Sequence, residues 1–261
     1  MRAVSLMYHD VVQPGREEES GFPGGPARIY KLSIDRFAAH LEAIQASATT
    51  VCNNVESLAE APGAPVLLTF DDGGVSLFDP IADMLEDRGW RGHFFITTGR
   101  IDTPGFLNVS QLRELAQRGH VLGSHSVNHP TRMSDLSAAQ LAKEWTDSKA
   151  LLENILGCQI MTASVPGGYF SPQVAAEAER AGYLHLFHSE PLTTVASFGN
   201  LRLYGRFPLQ SASPASLAGG LAHGDLWPRT RMWALRNLKK AAKAAGGSWL
   251  ISRHSRSLDS R

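Results

Sequence analysis

Val66-Leu67-Leu68-Thr69-Phe70-Asp71-Asp72-Gly73-Gly74 is an apolar run that ends in two adjacent carboxylates and two glycines. A continuous apolar run suits a strand covered on both faces, as in a parallel sheet. Comparable runs recur at Ala3–Tyr8, Thr49–Cys52, His93–Thr97, His120–Gly123, Gln159–Ser164 and Leu184–Phe187. Helical patterns with recognisable ends lie between them. Ser33 precedes a pattern carrying Phe37, Leu41 and Ile44. Ser110 is placed to cap Gln111–Arg118, closed by Gly119. Ser137 is placed to cap a long helix to about Leu156, closed by Gly157, and Ser171-Pro172 opens one closed by Gly182. Strands alternating with helices imply parallel βα units, and seven or so without a composition break predict one closed or nearly closed barrel. In a barrel the chemistry belongs at the C-terminal strand ends, where Asp71 and Asp72 stand.

The 261 residues are 43% hydrophobic and 19% charged, enough for one sizeable core. Formal charge is zero, which gives no field for nucleic acid. Residues 229–261 differ: nine basic side chains face a single acid, Asp259. The chain therefore divides into a barrel, residues 1–228, and a basic C-terminal helix and tail, residues 229–261, on the same domain. The helix is expected from Thr230 to about Ala245, with Met232, Leu235, Leu238 and Ala242 on one side. It either covers the barrel or docks peripherally on an anionic membrane. The two cysteines, Cys52 and Cys158, form no disulfide framework and are expected to be buried thiols. No signal-peptide core and no apolar stretch of membrane-spanning length is seen, so a cytoplasmic protein is expected, with the membrane surface as an option. The Gly-, Pro- and Glu-rich segment Gln13–Arg28 is either a flap over the site or a plain surface loop.

Adjacent acids at a strand end are costly to ionise together without a cation nearby, although one of them could simply cap the next helix. The second feature is Gly119-His120-Val121-Leu122-Gly123-Ser124-His125-Ser126-Val127-Asn128-His129-Pro130. Histidines at i and i+4 share a face of a helical turn and can reach one ion, although such a pair alone is often fortuitous. Two histidines and one carboxylate leave positions open for water and substrate, as a catalytic metal requires. The second carboxylate is then free to act as a base.

These residues resemble the NodB-type polysaccharide deacetylases, carbohydrate esterase family 4. The resemblance rests on Thr69-Phe70-Asp71-Asp72-Gly73, on Arg118-Gly119-His120, and on His125-Ser126-x-x-His129-Pro130. It extends to Met7-Tyr8-His9-Asp10-Val11 and to Gly92-His93-Phe94-Phe95-Ile96, covering roughly residues 3 to 190. It implies a distorted (β/α)7-type barrel in which Asp72, His125 and His129 bind a divalent metal. Zn is the first expectation, with Co, Ni and Fe as alternatives. Asp71 is implied as the base, and a backbone N–H in Pro166-Gly167-Gly168-Tyr169 as the oxyanion donor. The implied reaction removes N-acetyl groups from an acetylated sugar, polysaccharide or lipid-linked glycan. Hydrolysis of another amide or an O-acetyl ester, and an inactive metal-containing glycan-binding protein, are the alternatives.

Two family features have no clean equivalent. The third motif reads Ala163-Ser164-Val165-Pro166 without its usual arginine, and Arg206 is one conceivable substitute. The late histidine that protonates the leaving amine is also unassigned. The candidates are His223, His9, His185 and His188. Phe187-His188-Ser189-Glu190-Pro191 resembles a variant of the family's aromatic-rich motif in members adapted to glycan or lipid-linked sugar assembly.

Overall fold

A computed structural model describes residues 1–238 of the chain. Seven parallel strands close into a barrel: β1 (Val4–Tyr8), β2 (Val66–Phe70), β3 (His93–Ile96), β4 (Val121–Ser124), β5 (Thr162–Ser164), β6 (His185–His188) and β7 (Leu201–Pro208). They follow chain order around the barrel, and β7 returns to β1 with Ser5 opposite Arg206 and Met7 opposite Pro208. A short strand, Ala196–Phe198, runs antiparallel on β7. The expected run at Thr49–Cys52 forms no barrel strand. Only Val51 bridges to Val66, because the Cys52–Leu58 stretch turns under the barrel, where Cys52, Val55 and Leu58 pack with Phe95, Phe187 and Tyr204.

The helices are α1 (Ile34–Ala46), α2 (Val109–Gln117), α3 (Ala138–Leu156), α4 (Pro172–Arg180) and α5 (Ala215–His223). Ser33, Ser137 and Ser171 cap as expected, accepting from the N–H of Arg36, Gln140 and Val174. Ser110 does not cap α2. Asn108 does, in a reciprocal box with Gln111, and Ser110 Oγ donates to the side-chain Oδ1 of Asn108 at 2.6 Å. Cys158 is exposed rather than buried, just past the left-handed Gly157 that ends α3.

Each strand buries both faces, yet the two faces have different partners. Val66, Leu68 and Phe70, like Leu6, Tyr8, Phe94 and Ala163, join the large core under the helices. Leu67 on β2, with Ala3, Phe95, Phe187 and Tyr204, joins the smaller cluster inside the barrel. Side chains alternate with period two along a strand. Asp71 therefore continues the inward series of Leu67 and Thr69, His9 that of Ala3, Ser5 and Met7, and Arg206 that of Tyr204. Inward positions at the strands' C-terminal ends make the mouth of the barrel.

The segment after β1 is held down rather than free. Lys31 Nζ donates to the carbonyls of Glu17 and Ser20 at 2.5 and 2.6 Å, and the Gly21 N–H donates to the Gly105 carbonyl at 2.8 Å. Buried Asp10 accepts from Ser20 Oγ (2.5 Å) and Ser76 Oγ (2.8 Å). A Cβ at Gly74 would lie 2.0 Å from Asp10 Oδ1, so the glycine after the acid pair is required by the close approach of that carboxylate. Among the described residues no helix is long and apolar enough to cross a membrane.

Candidate metal centre and active site

The mouth is a cavity of about 290 Å³ bordered by Met7, His9, Asp71, Asp72, His125 and His129, with Phe22, Tyr30, Gly167, Gly168, Ser189 and Arg236 around it. A cavity of about 360 Å³ lies beside the segment after β1, lined by Val12, Arg16, Glu19 and Asp79, and none of the expected site residues borders it.

Asp72, His125 and His129 present ligand atoms that all lie within 4.8 Å of one another. Asp72 Oδ1 is 3.5 Å from His125 Nε2 and 3.3 Å from His129 Nε2. His125 Nδ1 lies 3.0 Å from the Ser164 carbonyl oxygen. A carbonyl only accepts, so Nδ1 carries the proton and Nε2 turns its lone pair toward Asp72. Burial pushes the His125 imidazole down to about 4, which keeps it neutral as a ligand must be. Asp72 Oδ1 is buried with no hydrogen-bond donor. Buried acceptors converging without a donor are costly, and a cation satisfies them together. The donor set, two imidazoles and a carboxylate, fits a divalent metal.

The histidines do not sit on a helical turn as their spacing suggested. Residues 125–129 form a loop in which Ser126 and His129 have φ of 65° and 52°, and Asp72 has φ of 77°. Such left-handed geometry at residues other than glycine costs energy and gathers at functional sites. Side chains hold the loop: Ser124 Oγ accepts from the Ser126 N–H and Ser126 Oγ from the His129 N–H, both at 3.1 Å. Glu144 on α3 accepts from the backbone N–H of Val127 and Asn128 at 2.9 Å each, and from Asn128 Nδ2 at 2.7 Å.

Asp71 stands beside this set, its Oδ2 3.9 Å from His125 Nε2. Arg206, fully buried, clamps it in two bonds, Nη1 to Oδ1 at 2.6 Å and Nη2 to Oδ2 at 2.7 Å. Ser164 Oγ accepts from Arg206 Nη2 at 2.8 Å and donates to Asp71 Oδ1 at 3.2 Å. Burial alone would raise the Asp71 carboxyl, but the Arg206 charge, then His125, hold it well below the usual carboxylate range. The arginine missing before Pro166 is thus supplied from β7, across the barrel. Ser164 and Glu144 were not anticipated. The inward parity of Ser164 at a strand end was the available signal for the first, and nothing local marked the second.

The acid candidates separate cleanly. His9 borders the cavity, its ring 4.5 Å from that of Tyr30 and its buried Nδ1 without a hydrogen-bond partner. His223 is exposed at the end of α5, which packs on α1 outside the barrel, and it does not border the cavity. Its placement corrects the expectation drawn from chain order. His185 opens β6 at the opposite end of the barrel, with Nδ1 2.9 Å from Tyr204 Oη. His188 Nδ1 accepts the Glu190 N–H at 3.2 Å. Of the expected oxyanion loop, Gly167 and Gly168 border the cavity and Tyr169 does not, its ring lying under Arg132 at 4.8 Å. The Gly168 N–H is engaged by the Val165 carbonyl at 3.2 Å, so it is not the oxyanion donor.

A (β/α)7 barrel with two histidines and two carboxylates at its mouth is an arrangement that can hold a divalent metal and leave one carboxylate free. Residues 59–186 match the family model described as polysaccharide deacetylase. Putative polysaccharide deacetylase YxkH of Bacillus subtilis is 30% identical over 126 residues, 48% of this chain and 45% of that protein. Peptidoglycan-N-acetylmuramic acid deacetylase PdaA of B. subtilis is 30% identical over 127 residues, 48% of this chain and 46% of its own length. The match thus spans about half the length of these relatives. In fold, a polysaccharide deacetylase from Bacillus cereus superposes with a TM-score of 0.71 at 18% identity, over 85% of this chain and 69% of that one. These matches support a divergent member of the NodB-type polysaccharide deacetylases.

Proposed function

We propose that the protein is a metal-dependent hydrolase that removes N-acetyl groups from an acetylated sugar, as a polysaccharide or a lipid-linked glycan. The observation that carries this is the pairing of three convergent ligand atoms at Asp72, His125 and His129 with a separate, Arg-clamped carboxylate at Asp71. A structural metal needs no such free carboxylate beside it. A divalent cation on the three ligands, with Zn first and Co, Ni or Fe also fitting the donors, would polarise the amide carbonyl and bring the pKa of a water toward neutrality.

This chain's residues supply the rest. Asp71, held ionised by Arg206, takes the proton of the attacking water. His9, whose Nδ1 is unpartnered and whose ring borders the cavity, protonates the departing amine nitrogen. The Gly167 backbone, which borders the cavity, would supply the donor for the oxyanion. Phe22 and Tyr30 offer apolar ring faces to a sugar. Products are acetate and a free amino sugar. The relatives named for peptidoglycan N-acetyl sugars support this substrate class.

Acetate release from N-acetylhexosamine oligomers, peptidoglycan fragments and lipid-linked sugars is the test. Asp71→Asn is expected to cut release by on the order of 10²- to 10⁴-fold while bound metal stays at wild-type level. Unchanged release with metal retained would remove Asp71 from the base role, and release only from non-sugar amides or O-acetyl esters would move the substrate class.

A further inference from the structure

The sequence pattern expected Met232, Leu235 and Leu238 to share a face. In the structure residues 226–238 are helical, and of these three only Met232 packs against the core. Leu226, Trp227, Trp233, Leu235 and Leu238 are exposed, at 71, 72, 52, 47 and 66%. They are half of the large exposed hydrophobics among the described residues, gathered in thirteen positions. The helix borders the site: Arg236 lines the cavity, and its Nη2 donates to the Glu190 carboxylate at 3.0 Å and to the Gly168 carbonyl at 3.3 Å.

We infer that residues 226–238 are a docking surface for an anionic lipid bilayer and bring the mouth of the barrel to it. Concentrated apolar exposure marks an interaction site, and charge selects the occupant. Residues 226–238 contain Arg229, Arg231 and Arg236 and no acid, and the sequence beyond adds six basic residues against Asp259. A second copy seated on the same face would set one basic helix against another, which like-charge repulsion disfavours. An anionic headgroup layer instead complements the exposed Arg231 and the basic residues that follow in the sequence, while the indoles and leucines enter the headgroup and acyl boundary, where Trp is favoured. The surface is independent of the proposed chemistry, and it places sugars carried on lipid within reach of the cavity.

The test uses the full chain with vesicles of phosphatidylcholine alone or with one quarter phosphatidylglycerol, read by co-sedimentation and by tryptophan emission. Binding is expected only to the anionic vesicles, falling as salt rises, with emission shifted to the blue. Trp227→Ser with Leu238→Ser is expected to lower the partition coefficient by at least about tenfold, given the transfer free energy of two large side chains. Arg231→Glu is expected to lower it separately. None of the three side chains is buried, so unchanged circular dichroism separates a docking defect from a folding one. Absence of binding, equal binding to both vesicle types, or a solution dimer that the same substitutions dissolve would each overturn the assignment.

Discussion

Arg206 and Asp71 are a buried ion pair, and such pairs are far more sensitive to loss of one partner than to replacement of both. Arg206→Ala leaves the Asp71 carboxylate in the barrel without its counter-charge. A destabilisation of about 3–5 kcal/mol is expected from chemical unfolding. Arg206→Lys keeps a charge but loses the fork that reaches both carboxylate oxygens and Ser164, so it should fold and still lose most acetate release. A Lys variant with full activity would show that position, not bidentate geometry, is what Asp71 needs. Arg206 was legible in the sequence only as one conceivable substitute for the arginine absent before Pro166. Arg202, Gly205 and Arg206 interrupt the apolar pattern of this stretch, so no continuous run marked it as a strand. Arg206 lies within β7, and its inward parity with Tyr204 is what aims it at Asp71. His9 was legible from its place at the end of the first strand, whereas His223 followed chain order alone and lies outside.

At the scale of an element, the loop of residues 125–129 is where spacing misled. An i, i+4 pair is consistent with a helical turn, but it is equally consistent with a loop whose left-handed residues return the second imidazole toward the first. The deciding contacts are non-local or side-chain made: Ser124, Ser126 and, from α3, Glu144. The Glu144 carboxylate binds two consecutive backbone N–H groups and the Asn128 amide, so it fixes the segment that carries His129. Outer partners of this kind commonly govern metal affinity by about 10–100-fold. Glu144→Ala is expected to weaken Co(II) or Zn(II) binding by that range and to speed amide exchange at Val127 and Asn128. Glu144→Gln, which keeps an acceptor oxygen, should recover part of both. Wild-type affinity and exchange in the Ala variant would make the carboxylate a surface contact only. If the wild type takes up neither ion, the proposed metal site itself fails.

For the whole molecule, the barrel was legible because six of the seven expected apolar runs, with capped helices between them, are barrel strands, whereas Thr49–Cys52 is not one and β7 was not among them. The interior was less so, because runs buried on both faces hide which residues line the barrel. Among the buried residues are histidines held neutral by their bonds. His93 Nε2 accepts the Val55 N–H at 3.0 Å and its Nδ1 faces the Leu68 carbonyl, and His120 Nδ1 accepts the Gly92 N–H at 3.0 Å while Nε2 faces Glu86. A ring nitrogen that accepts a backbone proton has no room for its own. Burial pushes His93, His120 and His185 each down to about 4. In the unfolded chain they take up protons below an ordinary value of about 6.5. The unfolded state then binds more protons than the native state across the interval between, so stability must fall as pH falls from about 6.5 to about 4. Above that window these three groups contribute no slope. Urea midpoints measured across it with a chelator present, so that cation release does not contribute, should decline steadily. His93→Gln offers an acceptor to Val55 without titrating, so its decline should be shallower than that of the wild type. A flat midpoint between pH 6.5 and 4.5 would mean that these histidines are protonated in the folded barrel, against the donor directions that the Val55 and Gly92 amides impose.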